Sequence, residues 1–437
     1  MNKRWTHNAA AATTVALIML SASTAWGEWG EGIQGGPFIL HPGVSLSAGF
    51  DSNLYYASPS DSQGTRQAPE GVVEPRLSIS TQDAGNWDLD GEASVGWRQY
   101  FSDQAQVRDQ SGLSANLSAN AAWNQDGPFS LQFSENFVRT NETPNSPSSE
   151  SINRIYNEAG IMAGLHPGGR ILETYASYDY AMYRHSDLVS GLDRDSHQFG
   201  WQARWSFLPK TALMAEVDHR RIRYRQARRG GPDISPDGEL RNTNSNPVRL
   251  LGGVEGLVTE RISFGARAGY GWAMYDDGPN FEGYVARAEA SYQFGNVDYD
   301  NRLRLGYQRE FSDSSIGNFY TSHRAIAGYE QGFVDNRLRL GLEVDGQIRN
   351  YAEIDAEGAE TPVAEVDFPD QISDLLVGVS ADADYAIRRG WDVGLRYQLR
   401  SNFTDDVIEV QRASVPGEDV VRDYHRHHVL FTTQLTY

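Results

Sequence analysis

Between residues 283 and 349, arginines and carboxylates recur at even spacing: Arg287 with Glu289, Arg302 and Arg304 with Glu310, Arg324 with Glu330, then Arg337 and Arg339 with Glu343, Asp345 and Arg349. Residues two apart on an extended strand point to the same side, so each run gathers both signs of charge on one face. Such a face can close on itself as cross-strand ion pairs that stiffen a wet wall. It can also form a polar track, in which planar guanidinium groups bind the carboxylate or hydroxyl groups of a hydrophilic solute. The two uses are compatible. Lys3 and Lys210 are the only lysines, so nearly every cation is an arginine. A GC-rich genome and selection for planar, bidentate pairing both account for that.

Three other clusters could do chemistry. Arg220, Arg221, Arg223, Arg225, Arg228 and Arg229 form a basic run suited to phosphates of lipopolysaccharide or to an anionic polymer. Residues 352–371 hold Glu353, Asp355, Glu357, Glu360, Glu365, Asp367 and Asp370 without a base, a solvated acidic loop whose spacing fits no calcium loop. His425, His427 and His428, with Asp423, are metal-ligating types, but strand alternation sends His425 and His427 to one face and His428 to the other. No G-x-S-x-G elbow supports nucleophilic hydrolysis. The sequence assigns no catalytic residue, no cofactor and no metal, and a non-enzyme is expected.

Residues spaced in this way need long strands to carry them. Leu113-Ala115-Leu117-Ala119-Ala121-Trp123, Phe199-Trp201-Ala203-Trp205-Phe207 and Tyr284-Ala286-Ala288-Ala290-Tyr292-Phe294 alternate with polar residues or glycine, and similar runs begin at Leu338, Leu375 and Trp391. Period two sustained this far is a strand signature. The runs exceed the roughly five or six residues usual in soluble sheets and suit tilted membrane strands, which need about 9–11 residues for the hydrocarbon. Connections alternate between short and long. Turn formers cluster at 83–86, 124–127, 166–169, 208–210, 259–261, 295–298, 334–336 and 387–390, while long connections fall near 57–70, 102–109, 141–154, 185–196, 226–246, 276–282, 313–320, 352–371 and 404–422. Short periplasmic turns and longer external loops are the outer-membrane pattern.

The expected fold is all-β: a single closed transmembrane antiparallel up-and-down β-barrel of about eighteen strands, within roughly 16–20, with both ends in the periplasm. Arg287, Glu289, Arg302, Arg304, Glu310, Arg324, Glu330, Arg337, Arg339 and Glu343 would then line the lumen. Trp87, Trp97, Trp123, Trp272, Tyr275 and Trp391 would form interfacial girdles. In the last run, odd positions form a lipid-facing row through Phe431 and Leu435 that finishes on Tyr437. That row resembles the terminal-strand signal read by the barrel assembly machinery.

Asn2-Lys3-Arg4, the apolar run from Ala9 to Leu20 and the small-x-small site Ala25-Trp26-Gly27 read as a cleaved secretory signal over residues 1–27. Residues 28–41 would be a short periplasmic segment, too short for a plug or passenger domain, and 42–437 the barrel. No later stretch is long and apolar enough for a transmembrane helix. A mean hydropathy of -0.54 would suit a soluble protein, but a barrel strand shows lipid only every second residue, so the average hides the pattern. There is no cysteine, hence no disulfide framework, and a net charge of -20 argues against nucleic acid as a partner. The expected location is the outer membrane of a Gram-negative bacterium. Membrane lipid, lipopolysaccharide and the barrel assembly machinery are the expected partners.

Gly36-Pro37-Phe38-Ile39-Leu40-His41-Pro42, continuing through Val44 to Tyr55, forms a proline-led opening strand with an aromatic-Asp-Ser-Asn element at Phe50, Asp51, Ser52 and Asn53. Together with Glu74-Pro75-Arg76-Leu77 and the tyrosine-terminated last strand, it resembles the porin 2-like β-barrel porin family. Many members are encoded beside exopolysaccharide synthesis and export proteins. The resemblance therefore implies an outer-membrane conduit for secreted exopolysaccharide, working with a periplasmic polysaccharide export protein. The alternative is a diffusion porin for small hydrophilic or anionic molecules; an alternative of another class is a non-transporting structural or enzymatic barrel. The mixed lumen charge departs from an exporter of a strongly anionic polymer, which should be mainly basic inside.

Overall fold

In lipid every backbone N–H and C=O needs a partner within the protein, and a sheet closed on itself supplies one for each. The computed structural model describes residues 30–59, 65–82, 85–140, 154–167, 171–185, 192–225, 243–295, 301–314, 318–352, 366–367, 372–404, 407–412, 415–421 and 423–437. The expected leader at 1–27, Arg228, Arg229 and the acidic residues of 352–371 lie outside the described residues, except Asp367, of which only the backbone is described.

Eighteen long strands form the barrel. They are β1 (Phe38–Asp51), β2 (Ala68–Thr81), β3 (Trp87–Tyr100), β4 (Gly112–Trp123), β5 (Phe129–Thr140), β6 (Arg154–Leu165), β7 (Leu172–His185), β8 (Arg194–Leu208) and β9 (Thr211–Tyr224). The second half comprises β10 (Ser245–Leu257), β11 (Ile262–Tyr275), β12 (Phe281–Gln293), β13 (Arg302–Asp313), β14 (Phe319–Phe333), β15 (Leu338–Tyr351), β16 (Ser373–Arg388), β17 (Trp391–Phe403) and β18 (Tyr424–Thr436). Each is antiparallel to its neighbours, and β1 closes on β18 from Gly43 opposite Thr436 to Asp51 opposite His428. A short extra strand, Ile33–Gly35, folds back on β1, which begins at Phe38 rather than at the expected residue 42. A small sheet of Val366–Asp367, Val407–Arg412 and Val415–Val421 joins the long connections after β15 and β17. One helix, α1 (Ala105–Asp109), lies between β3 and β4.

Alternation decides which way each side chain faces. Leu46, Phe133, Trp201, Leu305, Leu342 and Phe431 stand exposed on the outer surface, as a lipid-facing belt requires. The turn after β14 puts Val334, Asp335 and Asn336 at positive φ and closes with the Arg337 N–H donating to the Val334 carbonyl at 3.1 Å. Arg337 is thus the last residue of a turn, not of a strand as expected, although it keeps the parity of Arg339.

One stretch of wall departs from simple closure. Pairing between β12 and β13 stops at Ala286 opposite Arg309. Beyond it β12 stays on β11 as far as Phe281, and β13 stays on β14 as far as Asp313. The extracellular end of β13 passes on the lumen side of β12, where Phe311 stacks on Phe281 with centroids 4.0 Å apart. Ala273, Tyr275 and Val285 complete this buried cluster. Glycine at 271 allows the overlap, since a Cβ there would lie 2.6 Å from Phe311 Cε1. Arg249 sits 4.2 Å over the Phe311 ring and donates to the Phe311 carbonyl at 2.8 Å. Asp313 accepts from Ser245 Oγ and Tyr275 Oη, both at 3.0 Å. Tyr275, expected in the outer girdle, therefore belongs to the lumen, because odd positions of β11 face inward. A second inward cluster packs Leu54, Tyr55 and Val107 of α1 on Ala68 and Tyr100. Both narrow the extracellular mouth.

Candidate functional site: the barrel lumen

The inner wall carries its charges as linked rows. Across β7–β12, Glu173 pairs with Arg204 at 3.3 Å, Arg204 with Glu255 at 2.7 Å, Glu255 with Arg267 at 3.3 Å and Arg267 with Glu216 at 3.1 Å; Arg287 also contacts Glu216. Of these residues only Arg287 was singled out from the sequence. The others lie on strands whose cations and anions are too sparse to stand out until five neighbouring strands are laid side by side.

Toward the periplasm, Arg302 pairs with Glu330 and Arg304 with Glu343, each at 2.8 Å. Asp345 is shared by Arg324 at 3.5 Å and Arg400 at 3.0 Å. Glu289, Glu310 and Arg339 make no ion pair among the described residues. Arg302, Arg304, Glu330, Arg339, Glu343 and Asp382 line one cavity of about 770 Å³. Arg337, in the turn, is not among the residues lining it. The Arg302–Glu330 side chains are 52% and 50% exposed, and exposed pairs are worth about 0–1 kcal/mol. Ion pairs this weak stiffen the wall little and can exchange partners with a passing solute.

At the extracellular end the lumen is lined by tyrosines with arginine on their faces. The Tyr156 and Tyr183 rings meet at a tilt with centroids 4.7 Å apart and Arg194 4.3 Å over Tyr183, and Tyr320 and Tyr351 lie 5.6 Å apart with Arg349 4.8 Å over Tyr320. All four tyrosines are half-buried. They are inward-parity residues near strand ends, a signal that lay in the alternation but was not singled out from the sequence.

Asp51, Ser52 and Asn53 sit where the first and last strands meet. The Asp51 carboxylate is fully buried and accepts from Arg426 Nε at 3.1 and 2.9 Å, and Arg426 lies 4.7 Å over the Tyr56 ring. Ser52 N–H donates to the His427 carbonyl at 2.9 Å, and Ser52 Oγ accepts from His427 N–H at 2.8 Å. Asn53 Nδ2 donates to the carbonyls of Ala57 and His425 at 2.8 and 3.2 Å. Arg76 reaches the same seam, pairing with Glu74 at 3.0 Å and donating to Gln434 at 3.1 Å. These contacts close the barrel and turn the first loop inward.

The histidines do not converge. His428 contacts the buried Glu70 inside, whereas His425 and His427 face outward, and no group of three metal-ligating side chains occurs among the described residues. Phe431 is exposed on the outer surface and Leu435 pairs with Val44. Tyr437 is only 8% exposed, so the lipid-facing row ends before it. Its N–H donates to the Pro42 carbonyl at 2.9 Å, and its carbonyl accepts from His41 Nδ1 at 3.1 Å.

Long lipid-facing strands, short turns at one end and a polar, ion-paired interior define a porin-like outer-membrane barrel. The chain belongs to the family described as Putative beta-barrel porin 2, whose model matches residues 30–415. Among solved structures it is similar to OccK9 (OpdG) of Pseudomonas aeruginosa at 12% identity, covering 91% of this chain and 98% of that one with a TM-score of 0.46. It is also similar to the siderophore receptor PirA of Acinetobacter baumannii at 9% identity, covering 91% and 80% with a TM-score of 0.45. OpdQ of Pseudomonas aeruginosa gives 11% identity, 91% and 98% coverage and a TM-score of 0.43. No curated protein sequence matches the chain.

Proposed function

We propose that this barrel is a conduit for a secreted exopolysaccharide, and that the polymer it passes is neutral or weakly charged. The observation that carries the reading is the inner wall, with paired arginines and carboxylates below and arginine-backed tyrosines at the mouth. An aromatic ring offers a flat apolar face to the C–H side of a sugar ring, and hydroxyl and guanidinium groups serve its hydroxyls. A wall whose charges are mostly paired neither repels a neutral chain nor draws in an anionic one strongly. Diffusion of small solutes is the second reading, favoured by the cavity around Arg302 and Arg339.

Purified protein in planar bilayers separates the two. Neutral oligosaccharides should interrupt the ion current, with residence times that grow with chain length. A current that no oligosaccharide interrupts overturns the polysaccharide reading and leaves a small-solute porin. No current from either the native protein or a variant with a released β13 end points to a non-transporting barrel.

A further inference from the structure

An arginine facing lipid is costly at the bilayer midplane and nearly free near the interface, so where outward arginines sit reports what meets them there. Arg139 on β5, Arg184 on β7, Arg221 and Arg223 on β9, and Arg309 on β13 share the lipid-facing parity of Phe133, Tyr178, Leu213 and Leu305 on the same strands, and each lies near its strand's extracellular end. The periplasmic ends present Trp87, Phe129, Trp205 and Tyr292 instead. Arg388, held 5.6 Å from the Trp391 ring, is the one outward cation there among the described strand residues.

Four of the five gather on one flank. Arg139 is opposite Ile155 and Ile155 opposite Arg184, so the two arginines occupy one row about 10 Å apart, two strand spacings. On the next pair, Asp195 is opposite Arg223 and His197 opposite Arg221. Asp195 takes up Arg184. Arg139, Arg221 and Arg223 have no carboxylate within ion-pair distance among the described residues. Tyr178 Oη meets His197 Nδ1 at 2.8 Å on the same surface, and Tyr307 meets His323 likewise at 2.8 Å. Amphipathic rings of this kind mark the headgroup level.

We propose that the extracellular rim of β5–β9 binds the phosphate groups of a phosphorylated glycolipid in the outer leaflet, the lipopolysaccharide of the host membrane. Planar guanidinium groups in a row match phosphate oxygens bidentately. A chain of net charge -20 thereby meets an anionic leaflet with its cations foremost. The inference is independent of what passes through the lumen.

The test uses the folded full chain in a zwitterionic detergent, titrated with lipopolysaccharide and with the same lipid after removal of its phosphates. Combined Arg139→Gln, Arg221→Gln and Arg223→Gln should weaken binding of the phosphorylated lipid at least tenfold and leave the dephosphorylated lipid unaffected. The three arginine-to-lysine changes should restore most of it. If the triple variant fails to assemble, Arg221→Gln alone, at an exposed position, should weaken binding severalfold. Equal affinity of native and variant protein overturns the proposal. So does displacement of the lipid by inorganic phosphate at low millimolar concentration, which would assign the site to a free anion.

Discussion

Phe311→Ala should open the extracellular mouth. The ring is 1% exposed, stacked on Phe281 at 4.0 Å and capped by Arg249 at 4.2 Å, so its removal takes away the main apolar contact that holds the end of β13 behind β12. Core Phe→Ala changes cost about 3–5 kcal/mol, and each ~1.4 kcal/mol is tenfold in an equilibrium. The overlapped arrangement should therefore lose a factor of roughly one hundred to a few thousand in population relative to a released one. The readout is single-channel conductance in planar bilayers, which should rise in the variant. Equal conductance from the native protein and Phe311→Ala would refute the claim that this overlap narrows the mouth.

Asp51→Ala strands the Arg426 guanidinium at the seam, and breaking a buried pair in this way costs about 3–5 kcal/mol; an unchanged urea-unfolding midpoint would dismiss the seam's importance. Arg302→Gln with Arg304→Gln should move ion selectivity toward cations while costing no more than about 1 kcal/mol per pair, since both pairs are half-exposed. Reversal potentials that do not move would eliminate these arginines from the pathway. Cysteines placed in 226–246 or 352–371 should be labelled on intact cells and one in 334–336 should not, and the opposite pattern inverts the topology. Deleting Tyr437 removes a backbone hydrogen bond to Pro42 and a side-chain one from His41, both on β1, and should lower barrel abundance in membranes, which immunoblotting would measure.

Strand count, turn order and closure were legible because a membrane barrel writes them locally: alternation gives each strand its two faces, and loop length gives each end its side. The lumen rows were legible only in part. Parity placed Arg302 and Arg304 inside, but their partners depend on register: Glu330 is set opposite Arg302, and Glu343 lies two strands from Arg304 across Gly328, through turns whose closing geometry is not encoded in alternation. The overlap at β13 was hidden for a different reason. Phe311 and Asp313 continue the lipid-facing parity of Leu303, Leu305 and Tyr307, and nothing within β13 says that β12 stops pairing at Ala286. Its one sequence trace is a glycine at 271, on another strand. Tyr275 was misplaced for the same cause, since an aromatic at a strand end fits a girdle equally well until its face is known.

The contact between Asp51 and Arg426 also bears on how the chain reaches its native state. Its two halves are 375 residues apart, on the first and the last of the eighteen barrel strands. A nascent or truncated barrel can pair every other strand and still carry a carboxylate at a site that closure will remove from water. The contact is register-specific as well: sliding β18 by two residues would bring Tyr424 or His428 to the position of Arg426, keeping the alternation intact but replacing the guanidinium with a group that cannot match it. A two-residue slip, the error that lipid-facing alternation alone cannot detect, is thus penalised at one buried charge, and full-length closure in the correct register is the state that satisfies it.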